Sequence, residues 1–183
     1  LIATCDSNAM DLCSLQSYLW LAWSQHICGW QPNHCYAIFM GFNMKKIVVS
    51  LQHNSYAIYV GNNINMAIAF RIRKLNLGNF AIVISSKTVI DLYERDIKTM
   101  LGHYPYHIIS LPDGERAKSK SYFFKVIENI LAKDTWNKRL FIVCFGGGVV
   151  GDLGGFVAAT YKRGIPYVQI PTTLLSQIDS SLG

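Results

Sequence analysis

The segment Phe145–Phe156, FGGGVVGDLGGF, concentrates the residues best suited to phosphate chemistry. Gly146, Gly148 and Gly151 fall at G-x-G-x-x-G spacing, after an apolar run (Leu140–Phe145) and before a helical one. Glycines at such a turn let backbone N–H groups approach a diphosphate. The helix start adds unpaired donors and a partial positive charge. The same glycines also suit a tight strand-to-helix turn with close packing, and spacing alone weighs the two readings equally. A dinucleotide fingerprint places an acid about 20 residues further on, to hold the ribose. Here that stretch reads Gln169-Ile170-Pro171-Thr172. A dinucleotide bound at this turn would need other loops to hold its nucleoside.

A second segment, Leu111–Ser119 (LPDGERAKS), sets two carboxylates, Asp113 and Glu115, beside two cations, Arg116 and Lys118, around Gly114. Carboxylates accept from sugar hydroxyls, and a lysine donates to phosphate. A solvated turn with acids favouring a helix start would look the same. A third stretch joins Tyr161-Lys162-Arg163-Gly164 to Pro171-Thr172-Thr173 and then Gln177-Ile178-Asp179-Ser180-Ser181. Lys162 and Arg163 suit a helix C-terminus, and Thr172 and Thr173 suit a helix cap. Asp179 and its two serines are poor helix formers, which makes them odd inside a helix.

The elements that must carry these residues are regular from Met44 onward. Lys46–Leu51 and Tyr56–Val60 predict short strands around a polar turn, His53-Asn54-Ser55, that can form a hairpin beside a larger sheet. Ile64–Leu75 has helical spacing and ends at Asn76 and Gly78. Phe80–Ile84 is a β-branched run suited to a strand buried on both faces. Ser86 can cap a helix over Lys87–Leu101. A strand at Tyr106–Leu111, a helix at Ser119–Ala132 and a strand at Leu140–Phe145 follow. A helix at Val149–Tyr161, a strand at Tyr167–Ile170 and a helix over Thr173–Leu182 complete the series. Strands alternating with helices predict an α/β fold: a Rossmann-like, mostly parallel sheet flanked by helices, with ligands at the carboxyl ends of the strands.

Residues 1–43 show no such rhythm, and are read as an N-terminal extension outside the fold of residues 44–183. They hold four of the five cysteines and three of the four tryptophans. His26, Cys28, His34 and Cys35 raise a metal knuckle as an alternative, but their spacing matches no zinc pattern. Cys144, inside an apolar run, reads as a buried small hydrophobe. The 183 residues suffice for one domain, and 51% hydrophobic against 15% charged residues excludes a disordered chain. The net charge of +6 favours anionic partners. Its dispersal, without interleaved aromatics, argues against nucleic acid and for small phosphorylated ligands. No apolar stretch reaches membrane-span length and no leader pattern opens the chain, so a cytoplasmic protein is expected.

The run GGGVVGDLGGFVAATYKRGIPYVQIPTTLLSQIDSSLG, with DGERAKS upstream, resembles the signature of the 3-dehydroquinate synthase family. The resemblance extends from about Met44 to Gly183, most specifically over the last forty residues or so. It implies a dimeric, NAD- and metal-dependent lyase of the shikimate route to aromatic amino acids. That enzyme converts 3-deoxy-D-arabino-heptulosonate 7-phosphate, a phosphorylated sugar acid, into 3-dehydroquinate with loss of phosphate. It further implies that Asp113, Gly114, Glu115 and Lys118 contact NAD, that Gly147, Gly148, Val149, Val150, Gly151 and Asp152 lie along its diphosphate, and that Thr172 and Thr173 also touch it. Asp179 would bind substrate, and Arg163 would reach the substrate phosphate of a neighbouring subunit.

The family's zinc or cobalt is held by a Glu and two His from a helical C-terminal half. The resemblance gives this chain no metal ligand, and implies a fragment that cannot turn over substrate alone. One position departs from the family. After Ile84 the family often carries an acid for the adenosine ribose, and here Ser86 takes that place. Other sugar-phosphate cyclases, polyol dehydrogenases of the same superfamily, and a non-catalytic nucleotide-binding module remain as alternatives.

Overall fold

A computed structural model describes residues 2–5, 44–50 and 55–182, with residues 2–5 described as backbone only. Seven strands form one sheet in the order β2-β3-β1-β7-β6-β4-β5. They are β1 (Ile2–Cys5), β2 (Met44–Val49), β3 (Tyr56–Gly61), β4 (Phe80–Ser86), β5 (Tyr106–Leu111), β6 (Leu140–Gly146) and β7 (Tyr167–Pro171). The last four pair in parallel, as the alternation of strands and helices predicts. β2 and β3 form the expected antiparallel hairpin, with Ile47 opposite Ile58. The expected turn residues His53 and Asn54 lie outside the described residues.

One strand was not foreseen. Ile2–Cys5 pairs antiparallel with both β3 and β7, joining the hairpin to the parallel block. Four residues are too few to show a period, so no pattern in residues 1–43 announced it.

Among the described residues four helices cover the sheet: α1 (Asn65–Leu75), α2 (Lys87–Leu101), α3 (Lys120–Leu131) and α4 (Gly148–Thr160). The period of two in β4 divides its side chains between the layers. Ala81 and Val83 pack with Ile68 and Ile72 of α1 and Ile97 and Leu101 of α2. Ile82 and Ile84 pack with Val126 and Ile130 of α3 and Val157 of α4. Residues 81 to 84 are wholly buried, as a strand covered on both faces requires. Ser86 caps α2, its hydroxyl accepting from the Val89 N–H. Ser119 caps α3 in the same way, accepting from Tyr122. Gly154 lets α4 press onto β6, because a Cβ there would collide with the Cys144 sulfur. Cys144 is buried and free, and burial pushes its thiol pKa up to about 12.

Two expectations near the C-terminus need correction. The helix expected at Val149–Tyr161 ends at Thr160. A single 3-10 turn follows, in which Lys162 (φ 49°), Arg163 (φ 65°) and Gly164 (φ 117°) all lie in the left-handed region. The helix expected over Thr173–Leu182 is a short turn that widens into π geometry at Ser176–Ser180. Its serines bond locally instead of extending the helix: the Ser176 hydroxyl donates to the Thr173 carbonyl at 2.9 Å.

The topology decides where a ligand can enter. β4 and β6 are neighbours, but the chain leaves β4 towards β5 and β6 towards β7. Their following helices, α2 and α4, lie on opposite faces. Connections that diverge in this way open a crevice between the carboxyl ends of the two strands.

Candidate functional site

The crevice is pinned at its base. The buried Ser85 hydroxyl, near the end of β4, donates to the Phe145 carbonyl of β6 at 2.6 Å. Above it, the Gly-rich turn opens α4. Gly147 offers no side-chain cap. The Val150 N–H turns back to the Gly147 carbonyl at 3.1 Å. The N–H groups of Gly148 and Val149 find no backbone acceptor among the described residues. These are the donors an anion would take.

The glycines of this turn divide by task. A Cβ on Gly151 would sit 2.6 Å from the Gln169 amide oxygen, and one on Gly146 would sit 2.7 Å from Val150. Those two, with Gly154, serve packing, so the plainer reading of the motif holds for them. Gly147 and Gly148 instead border the crevice. A Cβ on Gly147 would meet the Thr173 methyl group at 3.2 Å, and one on Gly148 would meet the Ser180 hydroxyl at 2.8 Å. The hydroxyl oxygens of Ser180 and Ser181 are buried and make no hydrogen bond. Unmet polar atoms beside unmet helix N–H groups fit a polar ligand such as a diphosphate.

The loop after β5 closes on this turn from the α3 side. Lys118 Nζ lies 2.9 Å from Asp152 Oδ2 and 3.3 Å from Glu115 Oε2. Asp152 first, and Glu115 second, raise the lysine pKa, so the ammonium stays charged well into the alkaline range. Beyond this bridge a largely apolar cavity of about 280 Å³ is lined by Phe123, Leu153 and Phe156, with Lys118, Ser119, Lys120 and Asp152. Asp113 turns the other way, towards β4. Its Oδ2 accepts from the Thr88 hydroxyl at 2.7 Å. Thr88 first, and Ser86 next, hold its carboxyl below the usual carboxylate range. Gly114 between the two carboxylates takes φ 80°, a conformation open to glycine.

Thus the structure brings Glu115 and Lys118 onto Asp152, sets Gly147 against Thr173 and Gly148 against the turn bearing Asp179, and places Asp113 at the end of β4. Asp179 is exposed on that turn, and Thr172 links to the Gly-rich turn through its N–H, which donates to the Gly146 carbonyl at 3.0 Å. Val149 is half-buried and Val150 faces the core. Arg163 does not join them. It follows the far end of α4, a helix roughly 20 Å long at 1.5 Å per residue. Sequence reasoning gave no role to Ser85 and Thr88, and none to Gln169 and Ser180 although both lie in stretches it singled out. No local pattern announces a hydroxyl that meets its partner 25 or 60 residues away.

Among the described residues no three His, Cys, Asp or Glu side chains gather as a metal centre would need. His107 sits on β5, where burial first and Lys133 second lower its pKa. His53 and the group His26, Cys28, His34 and Cys35 lie outside the described residues. No helix among them is long and apolar enough to cross a membrane.

The family model of the 3-dehydroquinate synthase N-terminal domain matches residues 108–183. Over this stretch the chain belongs to that family. Relatives named 3-dehydroquinate synthase run along much of the rest. The Geobacter metallireducens protein is 43% identical over 143 residues, and that of Syntrophotalea carbinolica 39% over 142 residues. Each alignment covers 76% of this chain and 39% of the relative. The chain therefore spans about two fifths of the length of these 3-dehydroquinate synthases.

Solved structures of related cyclases share the fold. A 2-deoxy-scyllo-inosose synthase complexed with carbaglucose-6-phosphate, NAD+ and Co2+ superposes with a TM-score of 0.67 at 25% identity, covering 76% of this chain and 38% of that one. The 2-epi-5-epi-valiolone synthase of Streptomyces hygroscopicus subsp. jinggangensis, with NAD+ and Zn2+ bound, gives 0.51 at 28% identity, covering 58% and 30%. The 3-dehydroquinate synthase N-terminal match includes β5 from Ile108 onward, the DGERAK loop, the Gly-rich turn and the π turn, so it covers the crevice on its β6 and β7 side.

Proposed function

We propose that this chain is the dinucleotide-binding half of a 3-dehydroquinate synthase. The intact enzyme would convert 3-deoxy-D-arabino-heptulosonate 7-phosphate to 3-dehydroquinate with loss of phosphate, as a lyase of the shikimate route to aromatic amino acids. The observation that carries the reading is the Lys118–Asp152 ion pair, which ties the DGERAK loop to α4 one turn in from its N-terminus. Both halves of the motif then address one ligand. Relatives named for this reaction are 36–43% identical.

NAD, when bound, supplies a reversible hydride exchange that turns a substrate hydroxyl carbon into a ketone and back, which acidifies the adjacent C–H for phosphate elimination without net redox change. The chain's own part is to bind and orient. The free N–H groups of Gly148 and Val149, with Lys118, hold the diphosphate. Asp113 and Glu115 accept from sugar hydroxyls, and Thr172 and Thr173 border the same groove. Asp179 faces the substrate end. Arg163, remote from its own crevice, serves the phosphate of a substrate held by the other subunit of a homodimer. The metal, zinc or cobalt, finds no ligand set among the described residues, and no step through it is assigned to this chain.

Calorimetric titration of the chain with NAD tests the reading, with saturable one-site binding expected. Absence of binding at millimolar NAD removes it. Given the heptulosonate phosphate, NAD and zinc, the chain alone is expected to release no phosphate. A second reading, a cyclase acting on a different sugar phosphate, is favoured by the likeness to inosose and valiolone synthases. Their identities of 25–28% fall below those of the 3-dehydroquinate synthases, which supports the first reading.

A further inference from the structure

Helices α3 and α4 lie on one face of the sheet, in contact through Phe123 and Phe156. Each end of the pair carries a feature that the crevice does not use. At the amino end is the apolar cavity of about 280 Å³ between Phe123, Leu153 and Phe156. At the carboxyl end is Trp136, 98% exposed. The tryptophan is held out on a braced turn. The Lys138 N–H donates to the Thr135 carbonyl at 3.0 Å, which sets Trp136 at the second position of a β-turn. The Thr135 hydroxyl donates to the Asn137 side chain at 2.7 Å, and the Asn137 carbonyl accepts from the Asn79 amide at 3.1 Å. A large ring fixed in place before it meets a partner has the form of a binding anchor. Asp134 ties this loop to the turn bearing Arg163, because its carboxylate accepts from Lys162 Nζ at 2.6 Å and from the Tyr161 hydroxyl. Trp136 and Arg163 therefore belong to one rigid piece.

We propose that Trp136 of one copy of this chain fills the Phe123–Leu153–Phe156 cavity of a second copy, and the reverse, across a two-fold axis beside α3 and α4. The use this gives Arg163 rests on the homodimer reading above. The cavity lies just below the usual size of a small-molecule pocket and suits a single two-ring side chain. On its rim Lys120 makes no ion pair among the described residues, which frees its ammonium to lie over an indole face. Between knob and hole the surface stays apolar. Phe124 and Leu131, two turns apart on one face of α3, are exposed, and so is Phe156. Knob and hole lie at opposite ends of α3, which is roughly 18 Å long at 1.5 Å per residue. Turning a second copy end over end sets each knob on the other's hole, as a self-complementary contact requires. The same docking carries Arg163 to the end of the helix pair where the other copy's Gly-rich turn opens.

Sedimentation equilibrium of the 183-residue chain should show a monomer–dimer equilibrium. Trp136→Ala should raise the dimer dissociation constant at least about thirtyfold, the scale of a truncated aromatic anchor. Trp136→Phe should recover part of that loss. Phe156→Asp should spoil the hole to a similar extent. Both side chains are exposed, so the variant monomers should fold and bind NAD as wild type does. Mixing Trp136→Ala with Phe156→Asp should give a heterodimer tighter than either variant's own dimer. It regains one intact knob and hole, where each of those homodimers has none. A wild-type chain that stays monomeric, a dimer equally tight in Trp136→Ala, or no gain on mixing overturns the interface, whatever the NAD titration shows. A chain that dimerises as stated but binds no NAD removes the dinucleotide reading and leaves the interface standing.

Discussion

The ammonium of Lys118 lies 2.9 Å from the Asp152 carboxylate, and this one contact joins two segments that are 34 residues apart in the chain. Both side chains are about two-fifths exposed, at 40% and 45%. A pair so open to water adds about 0–1 kcal/mol to stability. Its value lies in where it holds the ammonium. Lys118→Met should leave the urea midpoint nearly unchanged. It should weaken NAD binding by roughly ten- to a hundredfold, the worth of a hydrogen bond to a charged group. A large stability loss with unaltered NAD affinity would mark the pair as structural only.

The glycines of the turn should separate in the same two assays. Gly154→Ala thrusts a methyl group into the Cys144 sulfur and should cost about 1–3 kcal/mol, as overpacking does. Cys144→Ala in the same chain should recover much of that loss. Gly148→Ala meets the Ser180 side chain, whose hydroxyl has no hydrogen-bond partner to lose. It should cost less stability and more NAD affinity. Equal losses in both assays for both variants would erase the division.

Asp134 predicts a pH effect. Its carboxylate is 7% exposed and accepts from Lys162 Nζ at 2.6 Å and the Tyr161 hydroxyl at 2.5 Å. Burial works against the charge, but the bonds from Lys162 and Tyr161 outweigh it, so the carboxyl titrates below its ordinary value. Burial, and Asp134 beside it, push the Tyr161 hydroxyl well up, so it remains a donor throughout. A depressed folded-state pKa gives stabilisation that is complete above the unfolded aspartate value and drains away as acid titrates the folded group. Asp134→Asn should therefore lose about 1–3 kcal/mol at neutral pH. Urea curves of variant and wild type should converge only as pH falls below the ordinary aspartate value and through the depressed folded-state one. A gap that stays constant with pH would count against the charge.

Much of the fold was legible because it rests on local pattern. The run FAIVI suits a strand buried on both faces, and Ser86 stood where a cap belongs, whereas Ser119, read as the first helical residue, caps its helix instead. The parallel pairing of β4, β5, β6 and β7 followed from alternation, while their order across the sheet did not. What escaped depended on distance or on competition. Thr88 meets Asp113 across a whole helix and strand. Ser176 and Thr173 trade helix continuation for bonds to each other, which propensity signals only as weakness. The G-x-G-x-x-G spacing could not tell Gly148, beside the crevice, from Gly151, beside Gln169, because both answer to the same lack of a Cβ.

The coil at Ser176–Ser180 carries one residue more per turn than an ordinary helix would. That surplus is slack. If a ligand drew the coil tight, the spare residue would pass along the chain, turning Asp179 and Ser180 about the axis by roughly 100°, the angular step of one helical residue. Ser180 would then swing off Gly148, widening the groove beside the first turn of α4 without moving a strand.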